Sequence, residues 1–539
     1  MSSPLFSKTL ALAIMLMFFH APIAPAIAQN ATPTAADLAP ADAGVFIHVK
    51  DLTALRKEWE SDPLATYLKE NLPEVFDKKA PGWTQAKTAL GLTDEQMFDK
   101  FFGTEIAIVF NKQGDQDPAM VISRITKDDA RLATQKLGFK SSGKQGVFTL
   151  YESNDKKSYV AAGLGWVIIT DTKYRNQVTT LIKEQTKSLA ASKRFKTATS
   201  KLPANRIATI YAHDNDKNET HVASASKVGR DLSLFYSGYS PQFANIFKLV
   251  QNAESLDFGP LPASTIATVS VNLLDPEMKL NSRLSRLFPK TKPFSTHVLP
   301  GIKAPAVAFL GEVASDQITS EKSPAIPVVG VSFKLKDSNN GKPSQAAKAL
   351  TDAINGVMII ANFAAANWDA PEIETRSETY KKQTYQVAEV GVTLASRMKR
   401  EEVKAMNLAF GQVGNWYLIC TQDQYFKATI DANENAALQL SESPAFKAMN
   451  LTHHKKPILT AVLQPKMLAT HVNSWLAHWA KVRPQVIKAA NSQVPSSPEA
   501  KIIKGVRITA GLLEHYKSMS IQAYQDGEQL SAIIQISRD

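Results

Sequence analysis

The chain has 539 residues, of which 44% are hydrophobic, 8% aromatic and 21% charged, and its formal net charge is +12. This composition excludes a largely disordered chain and suits about two to four globular domains. The single cysteine, Cys420, excludes an intramolecular disulfide, so stability must come from core packing. Cys420 ends an apolar run and is expected to be buried.

The first 28 residues resemble a cleavable secretory signal peptide. Lys8 provides a positive charge, Leu10 to Phe19 is apolar, and Ala26-Ile27-Ala28 is a small-residue cleavage site. The apolar run is shorter than the roughly 20 residues that a spanning helix needs. We therefore predict cleavage near Ala28 and a mature protein that is periplasmic or secreted.

No transmembrane segment is predicted in the mature chain. Met358 to Ala366 is apolar, but it is short and Asn362 interrupts it.

The remaining sequence alternates short strands and helices. Residues 29–37 resemble a flexible lead-in, Val45 to Val49 alternates as a strand, and Ser61-Asp62-Pro63 marks a helix start. Further strands are predicted at 105–110, 119–125, 146–151, 159–162, 166–170, 207–212, 266–273 and 279–287. Further helices are predicted at 128–137, 176–189 and 241–253.

The second half repeats this order. Residues 306–310 resemble 106–110 at an offset of 200, and later matches have an offset of 251. Those matches pair Gly163 with Gly414, Thr170 with Thr421, Tyr174 with Tyr425, Ser192 with Ser443, Phe195 with Phe446 and Lys196 with Lys447. The chain ends in a predicted hairpin around an Asp526-Gly527 turn.

These patterns predict an α+β fold of two tandem similar domains, each a mainly antiparallel sheet with helices packed on one face. The first domain is placed at residues 38–290 and the second at 291–539. The change of offset predicts an insertion around 354–406.

Sequence motifs for catalysis, metals or nucleotides are weak. Gly138 to Lys144 has phosphate-loop spacing, but Gln145 replaces the hydroxyl that would bind magnesium, so a Gly/Ser/Lys turn is expected. His471, Trp475 and His478 share one predicted helix face, yet two histidines do not complete a metal site. We therefore expect no cofactor and no metal, and we name no catalytic residue.

Two further sets of residues receive structural interpretations. His453-His454 is expected in a solvated loop before a strand. The tryptophans at or near predicted helices are expected to anchor the core rather than to stack on sugars. They are Trp59, Trp83, Trp368, Trp475 and Trp479.

Several short sequence segments resemble those of a loosely defined family of uncharacterised exported bacterial proteins, a domain of unknown function. They are Pro40-Ala41-Asp42 before the first strand, Leu261-Pro262-Ala263-Ser264 before Ile266 to Val271, and the Gly163-to-Phe195 and Gly414-to-Phe446 blocks. The resemblance implies no catalytic residues. The second segment makes Ile266 an alternative start of the second repeat, so the boundary lies anywhere from about 258 to 300.

The sequence favours an exported, non-enzymatic binding or scaffold protein of the cell envelope. Its basic balance favours an anionic envelope component or another envelope protein as partner, and nothing in the pattern indicates nucleic acid. The alternative is an envelope-polymer hydrolase with carboxylates at the domain junction. A third possibility is that Ile354 to Trp368 docks into a partner's groove as a helix.

Overall fold

A computed structural model describes residues 33–71, 83–112, 119–228, 231–247, 250, 257–272, 301–312, 327–336, 343–399, 403–404, 406–449, 451, 457–492 and 497–538. The predicted signal peptide, the site near Ala28, the predicted strand at 279–287 and the His453-His454 pair lie outside the described residues.

The strands and helices of the described residues are numbered in chain order. The strands are β1 (Val45–Lys50), β2 (Glu105–Phe110), β3 (Met120–Arg124), β4 (Lys140–Gln145), β5 (Phe148–Glu152), β6 (Ser158–Gly163), β7 (Trp166–Asp171), β8 (Arg206–Asp214), β9 (Glu219–Val228), β10 (Asp231–Tyr239), β11 (Thr265–Val271), β12 (Ile302–Gly311), β13 (Val328–Leu335), β14 (Thr375–Tyr380), β15 (Gln383–Ala388), β16 (Leu408–Val413), β17 (Trp416–Cys420), β18 (Leu459–Leu463), β19 (Tyr516–Asp526) and β20 (Gln529–Arg538). The α-helices are α1 (Leu52–Ser61), α2 (Pro63–Asn71), α3 (Trp83–Leu90), α4 (Asp94–Phe101), α5 (Lys127–Lys136), α6 (Arg175–Lys183), α7 (Lys193–Thr199), α8 (Phe243–Phe247), α9 (Gln345–Ala366), α10 (Val390–Met398), α11 (Asp423–Glu434), α12 (Pro444–Ala448), α13 (Pro465–Val482), α14 (Pro484–Ala490) and α15 (Pro498–Glu514).

The chain divides into two compact units. Unit 1 runs to Phe243 and includes Asp526–Ile533, and unit 2 holds Ala244–Gln525 and Ile534–Asp539. The division between the units at Phe243 precedes the predicted range of 258 to 300, whereas the first strand of unit 2, β11, begins at Thr265, within that range. The strand β11 lies in the first domain if the boundary is at 290, and in the second if the repeat starts at Ile266. It pairs with β12 and β18 in unit 2, as the second alternative has it.

The strand order of unit 1 is β4-β5-β6-β7-β3-β2-β1-β8-β9-β10, and every pair is antiparallel. The strand order of unit 2 is β14-β15-β16-β17-β13-β12-β11-β18-β19, again antiparallel throughout. The α+β class and the antiparallel sheets are thus confirmed, and the same order recurs with β11 in the place of β1.

Matching contacts show which residues are equivalent in the two units. Trp166 pairs with Arg124 across β7 and β3, and Trp416 pairs with Lys334 across β17 and β13. In both units the cation lies over the indole ring, at 5.7 and 5.8 Å from its centre. The offset in this hairpin is therefore 250, so the predicted matches of Gly163 with Gly414 and of Thr170 with Thr421 are wrong by one residue.

The repeated serines begin equivalent helices. The Ser192 hydroxyl accepts the Phe195 backbone N–H at 3.5 Å, and the Ser443 hydroxyl accepts that of Phe446 at 3.2 Å. Each serine thus caps a helix end whose first N–H groups have no partner within the helix. This match at an offset of 251 is confirmed.

Helices pack on both faces of each sheet, not on one face as predicted. In unit 1, Trp166 and Ile168 of β7 pack with Val178 of α6, whereas Val167 packs with Ala130 of α5. Successive strand residues point to opposite faces, so α5 and α6 cover opposite sides. Unit 2 has the same division, because Tyr417 packs with α9 and its neighbours Trp416 and Leu418 pack with α11.

The end of the predicted lead-in is part of the core. Ala35 and Leu38 are buried in a short 3-10 helix, Ala35–Leu38. The Trp166 indole N–H donates to the Pro33 carbonyl oxygen at 2.9 Å. The expectation of flexibility over 29–37 is therefore wrong for residues 33–37.

Candidate functional site

The phosphate-loop-like segment is a strand rather than a turn. Lys140 to Gln145 forms β4 at the exposed edge of the unit 1 sheet, with an irregularity between Ser141 and Gly143. Its lysines are exposed and the segment precedes another strand, not a helix. It therefore lacks the helix N-terminus that holds a phosphate in such loops.

Cys420 lies in the core, as predicted. It is 1% exposed, and its thiol donates to the Gln422 carbonyl oxygen at 3.3 Å. Burial raises the pKa of the Cys420 thiol to about 12. A thiol in this environment stays protonated and does not act as a nucleophile.

The predicted histidine stripe lies on α13, where His471 is buried and His478 is half-buried. Within the residues that the structure describes, no group of three or more His, Cys, Asp or Glu side chains is arranged to hold a metal ion.

Of the tryptophans predicted to anchor the core, Trp368 is the one whose described side chain is exposed. Trp59 is buried as expected, and Trp475 and Trp479 are half-buried on α13. Trp368 follows α9 and is 52% exposed, so its prediction as a core residue is wrong. The side chain of Trp83 lies outside the described residues.

Unit 2 contains a long apolar helix where unit 1 has a short one. The helix α9 has 22 residues, and its counterpart α5 has 10. By length and composition α9 could cross a membrane, which corrects the prediction that this region is too short. The residues that unit 2 adds here are fewer than the predicted insertion at 354–406, because β14 and β15 within that range are counterparts of β4 and β5.

The first half of α9 is a core helix. Ser344 caps it by accepting the Ala347 N–H at 3.1 Å. Ala346 and Leu350 pack on Phe410, and the Thr351 hydroxyl bonds the Tyr417 hydroxyl at 2.8 Å. This half is therefore fixed to the sheet.

The second half of α9 exposes large apolar side chains. Ile359, Ile360 and Phe363 are 60%, 69% and 71% exposed, and Val357 is also exposed. No charged residue lies between Asp352 and Asp369. A folded soluble protein rarely exposes side chains of this size together, and such patches usually mark an interaction site.

The neighbouring helix α10 adds to this surface. Leu394 and Met398 are exposed one turn apart on α10. The Arg397 guanidinium lies over the Trp368 ring, 5.0 Å from its centre, which brings the end of α10 to the end of α9. We call Val357, Ile359, Ile360, Phe363, Trp368, Leu394 and Met398 the apolar patch.

Charges of both signs flank the apolar patch. Arg397 and Lys399 are exposed on the α10 side, and Asp369, Glu372 and Glu374 are exposed on the segment after α9. The flanking charge is therefore nearly balanced, and the patch itself is defined by its apolar surface.

A second addition to unit 2 lies between β18 and β19. The helices α13, α14 and α15 fill this connection, and α13 and α15 pack on each other. In unit 1 the equivalent strands β8 and β9 are joined by the turn Asn215 to Asn218. We call Pro465 to Glu514 the helical insertion. The sequence pattern predicts a helix around His471 to His478 but does not indicate an insertion.

Unit 1 has an open cleft of about 610 Å³. Its polar lining includes Ser192, Lys193, Arg194 and Thr220. Lys193 and Arg194 make this lining basic, but the residues that line the cleft form no catalytic arrangement.

No protein-family model matches the chain, and no curated protein matches it significantly. Solved structures that resemble parts of it are crystal forms of TP0453. Form III is 11% identical with a TM-score of 0.23, covering 41% of this chain and 89% of that chain. Form I is 10% identical with a TM-score of 0.24, covering 39% and 80%. At these TM-scores the similarity assigns no function.

Proposed function

We propose that this chain is an exported, non-enzymatic binding protein of the cell envelope that attaches to a lipid membrane surface through the apolar patch. The observation that carries the proposal is the exposure of Ile359, Ile360 and Phe363 on the uncharged half of α9. The free energy of these apolar side chains is lower in hydrocarbon than in water.

The size of the patch favours reversible attachment over permanent insertion. Burying a large apolar side chain fully contributes about 1.5–3 kcal/mol. Ile359, Ile360 and Phe363 together therefore contribute on the order of 5 kcal/mol, before the cost of immobilising the protein. This range corresponds to peripheral binding rather than to permanent insertion.

The first half of α9 favours attachment over spanning. Lys348 and Asp352 are charged, and Leu350 packs on the sheet. For α9 to cross the bilayer, this half would have to leave its core contacts. We infer that α9 lies along the interface with its exposed face in the acyl region, as amphipathic surface helices do.

The pair at the end of α9 favours lipid over a protein groove. Trp368 is half exposed and carries Arg397 on its ring. Tryptophan and arginine are both favoured at the boundary between hydrocarbon and headgroups. Docking of α9 into a partner protein's groove is the competing outcome.

Vesicle flotation tests this proposal. The mature protein, residues 29–539, is mixed with phosphatidylcholine vesicles and compared with the variant Ile360→Ser/Phe363→Ser. We expect the wild type to float with the vesicles and the variant to stay in solution, with an unchanged unfolding midpoint. The control Val147→Ser/Leu438→Ser removes two exposed apolar residues elsewhere and should float.

Two results would overturn the proposal. One is a wild type that does not float, and the other is a patch variant that floats as well as the wild type. If the wild type stays in solution but cross-links to an envelope protein through position 360, groove docking replaces lipid attachment.

Export is a separate part of the proposal and has its own test. Expression of the full chain in a bacterial host, followed by N-terminal sequencing, should give a mature protein that begins at Gln29. The hydrolase alternative stays a prediction.

A further inference from the structure

We infer that the helical insertion, Pro465 to Glu514, is an anionic-lipid binding surface. This inference rests on the proposed membrane attachment and names the headgroup class that accompanies it. The insertion replaces a four-residue turn of unit 1, and the strand order of the unit 2 sheet is the same without it. Its helices therefore add a surface rather than complete the sheet.

The helical insertion carries many more basic than acidic residues. Its residues include seven basic and two acidic side chains, a net charge of +5 out of +12 for the whole chain. The basic residues are Lys466, Lys481, Arg483, Lys488, Lys501, Lys504 and Arg507. Concentrated positive charge on helices attracts anionic headgroups, and each lysine or arginine near such a surface adds a similar increment.

Both carboxylates of the insertion have local partners. Glu499 is 2.6 Å from the Arg483 guanidinium, and Glu514 accepts a hydrogen bond from the Asn473 amide at 2.8 Å. Lys481, Lys488 and Lys501 have exposed side chains. The positive field of the insertion is therefore open to solvent at three lysines on three different helices.

Exposed aliphatic side chains occur on the same helices as two of these lysines. Val482 and Ile502 are 61% and 67% exposed, and Val506 is exposed one turn after Ile502. Val482 and Ile502 directly follow Lys481 and Lys501 in sequence. The core of the insertion is made by other residues, including Ile487, Ala500 and Ile503, so the exposed aliphatic residues are not needed for its packing.

The combination of cations and aliphatic residues favours a lipid over a soluble polyanion. A polyanion such as a glycan or nucleic acid contacts the cations and gains nothing from Val482 or Ile502. A phospholipid offers the phosphate to the lysines and the acyl chain to the aliphatic side chains.

The experiment compares phosphatidylcholine vesicles with mixed phosphatidylcholine and phosphatidylglycerol vesicles, using the mature protein. The variant Lys481→Gln/Lys488→Gln/Lys501→Gln is matched by a control, Lys136→Gln/Lys140→Gln/Lys144→Gln, which removes the same charge from exposed sites in unit 1. We expect the wild type to bind the mixed vesicles more tightly. The insertion variant should lose about 10- to 100-fold of that affinity, since each lysine near an anionic surface contributes a few-fold. The control should lose less than about 3-fold.

The two proposals fail in different ways. Binding to pure phosphatidylcholine tests the apolar patch and should be the same in the insertion variant and the wild type. An insertion variant that keeps the preference for mixed vesicles, or a control that loses as much, would overturn the present inference alone. A further variant, Val482→Ser/Ile502→Ser, should weaken binding to mixed vesicles and leave heparin binding unchanged. Full vesicle affinity in this variant would show a polyanion site instead.

Discussion

Asn362 binds both backbone polar groups of Ile373. Its side-chain oxygen accepts the Ile373 N–H at 2.7 Å, and its side-chain nitrogen donates to the Ile373 carbonyl oxygen at 3.1 Å. These bonds tie the chain that follows α9 back against the helix. The polar residue in the apolar run is thus a structural tie, and the neighbouring Ile359 and Ile360 are exposed.

Replacing Asn362 with leucine should destabilise unit 2. The substitution removes both part-buried hydrogen bonds and leaves the N–H and C=O of Ile373 without these partners. Each unsatisfied group costs about 1–3 kcal/mol when buried. We expect the free energy of unfolding in urea to fall by about 2 kcal/mol. The control Asn367→Ala, exposed on the same helix end, should change it by less than about 0.5 kcal/mol. An Asn362→Leu variant of wild-type stability would contradict the tie.

The local elements of this fold could be predicted from sequence because they depend on local patterns. The alternation at Val45 to Val49 predicts β1, and the Ser61-Asp62-Pro63 signal predicts the start of α2. The strand β4 was missed because its side chains are polar and exposed, so the segment has no apolar face to detect.

The partners of elements are not encoded locally. The sequence leaves open whether β11 ends the first domain or begins the second, because its alternation shows that it is a strand but not which strand it pairs with. One signal for helices on both sheet faces was present in the sequence. Trp166, Val167 and Ile168 are consecutive and all buried, and such continuous apolar runs are typical of strands covered on both sides.

The candidate surfaces depend on exposure, which composition does not determine. Ile360 and Phe363 have the same apolar character as the core residue Leu350 on the same helix. The sequence suggests Ile354 to Trp368 as a docking helix, but only the packing of Leu350 and the exposure of Phe363 separate the core half of α9 from its surface half.

Trp368 should report membrane attachment by fluorescence. Its indole is 52% exposed at the end of α9, so entry into the interface would move it to a less polar environment and shift its emission to shorter wavelength. We expect this shift when vesicles are added to the wild type and not to Trp368→Phe. Since other tryptophans contribute, the measurement is the difference between the two proteins. An equal shift in both would place the contact elsewhere.

Cys420 should be unreactive in the folded protein. Its thiol is buried in the core, and burial raises its pKa to about 12, so both access and thiolate formation are suppressed. We expect no reaction with a thiol reagent at mild alkaline pH over hours, and one thiol per chain in guanidinium chloride. Rapid labelling without denaturant would contradict the packing of β17.

Asp423 should be important for the stability of unit 2. It begins α11, accepts a hydrogen bond from the buried Tyr385 hydroxyl at 2.5 Å and lies 2.7 Å from the Lys427 ammonium group. Asp423→Ala leaves the hydroxyl without this acceptor, and we expect a loss of about 2–3 kcal/mol in the free energy of unfolding. Asp423→Ala/Tyr385→Phe should recover part of the loss, because the orphaned hydroxyl is then absent. If the double variant recovers none of the lost free energy of unfolding, the loss comes from the Lys427 contact instead.

Alkaline pH should unfold the protein through its buried tyrosines. Burial raises the pKa of Tyr236, Tyr385, Tyr417 and Tyr425 above the ordinary value, and the Asp423 carboxylate raises that of Tyr385 further. An unfolded tyrosine ionises near pH 10. Above that pH the folded chain keeps protons that the unfolded chain releases, so stability is fully present below about pH 10 and falls as pH rises.

The measurement for this pH dependence is the thermal unfolding midpoint between about pH 8 and pH 11. We expect a nearly flat midpoint to about pH 9.5 and a steep fall beyond it. Tyr417→Phe removes one ionisable group and its bond to Thr351. Its midpoint should therefore be lower at neutral pH, because the bond is lost, and should fall less steeply above pH 10, because one fewer tyrosine ionises on unfolding. A Tyr417→Phe variant with the same slope as the wild type would show that this tyrosine does not contribute to the alkaline transition.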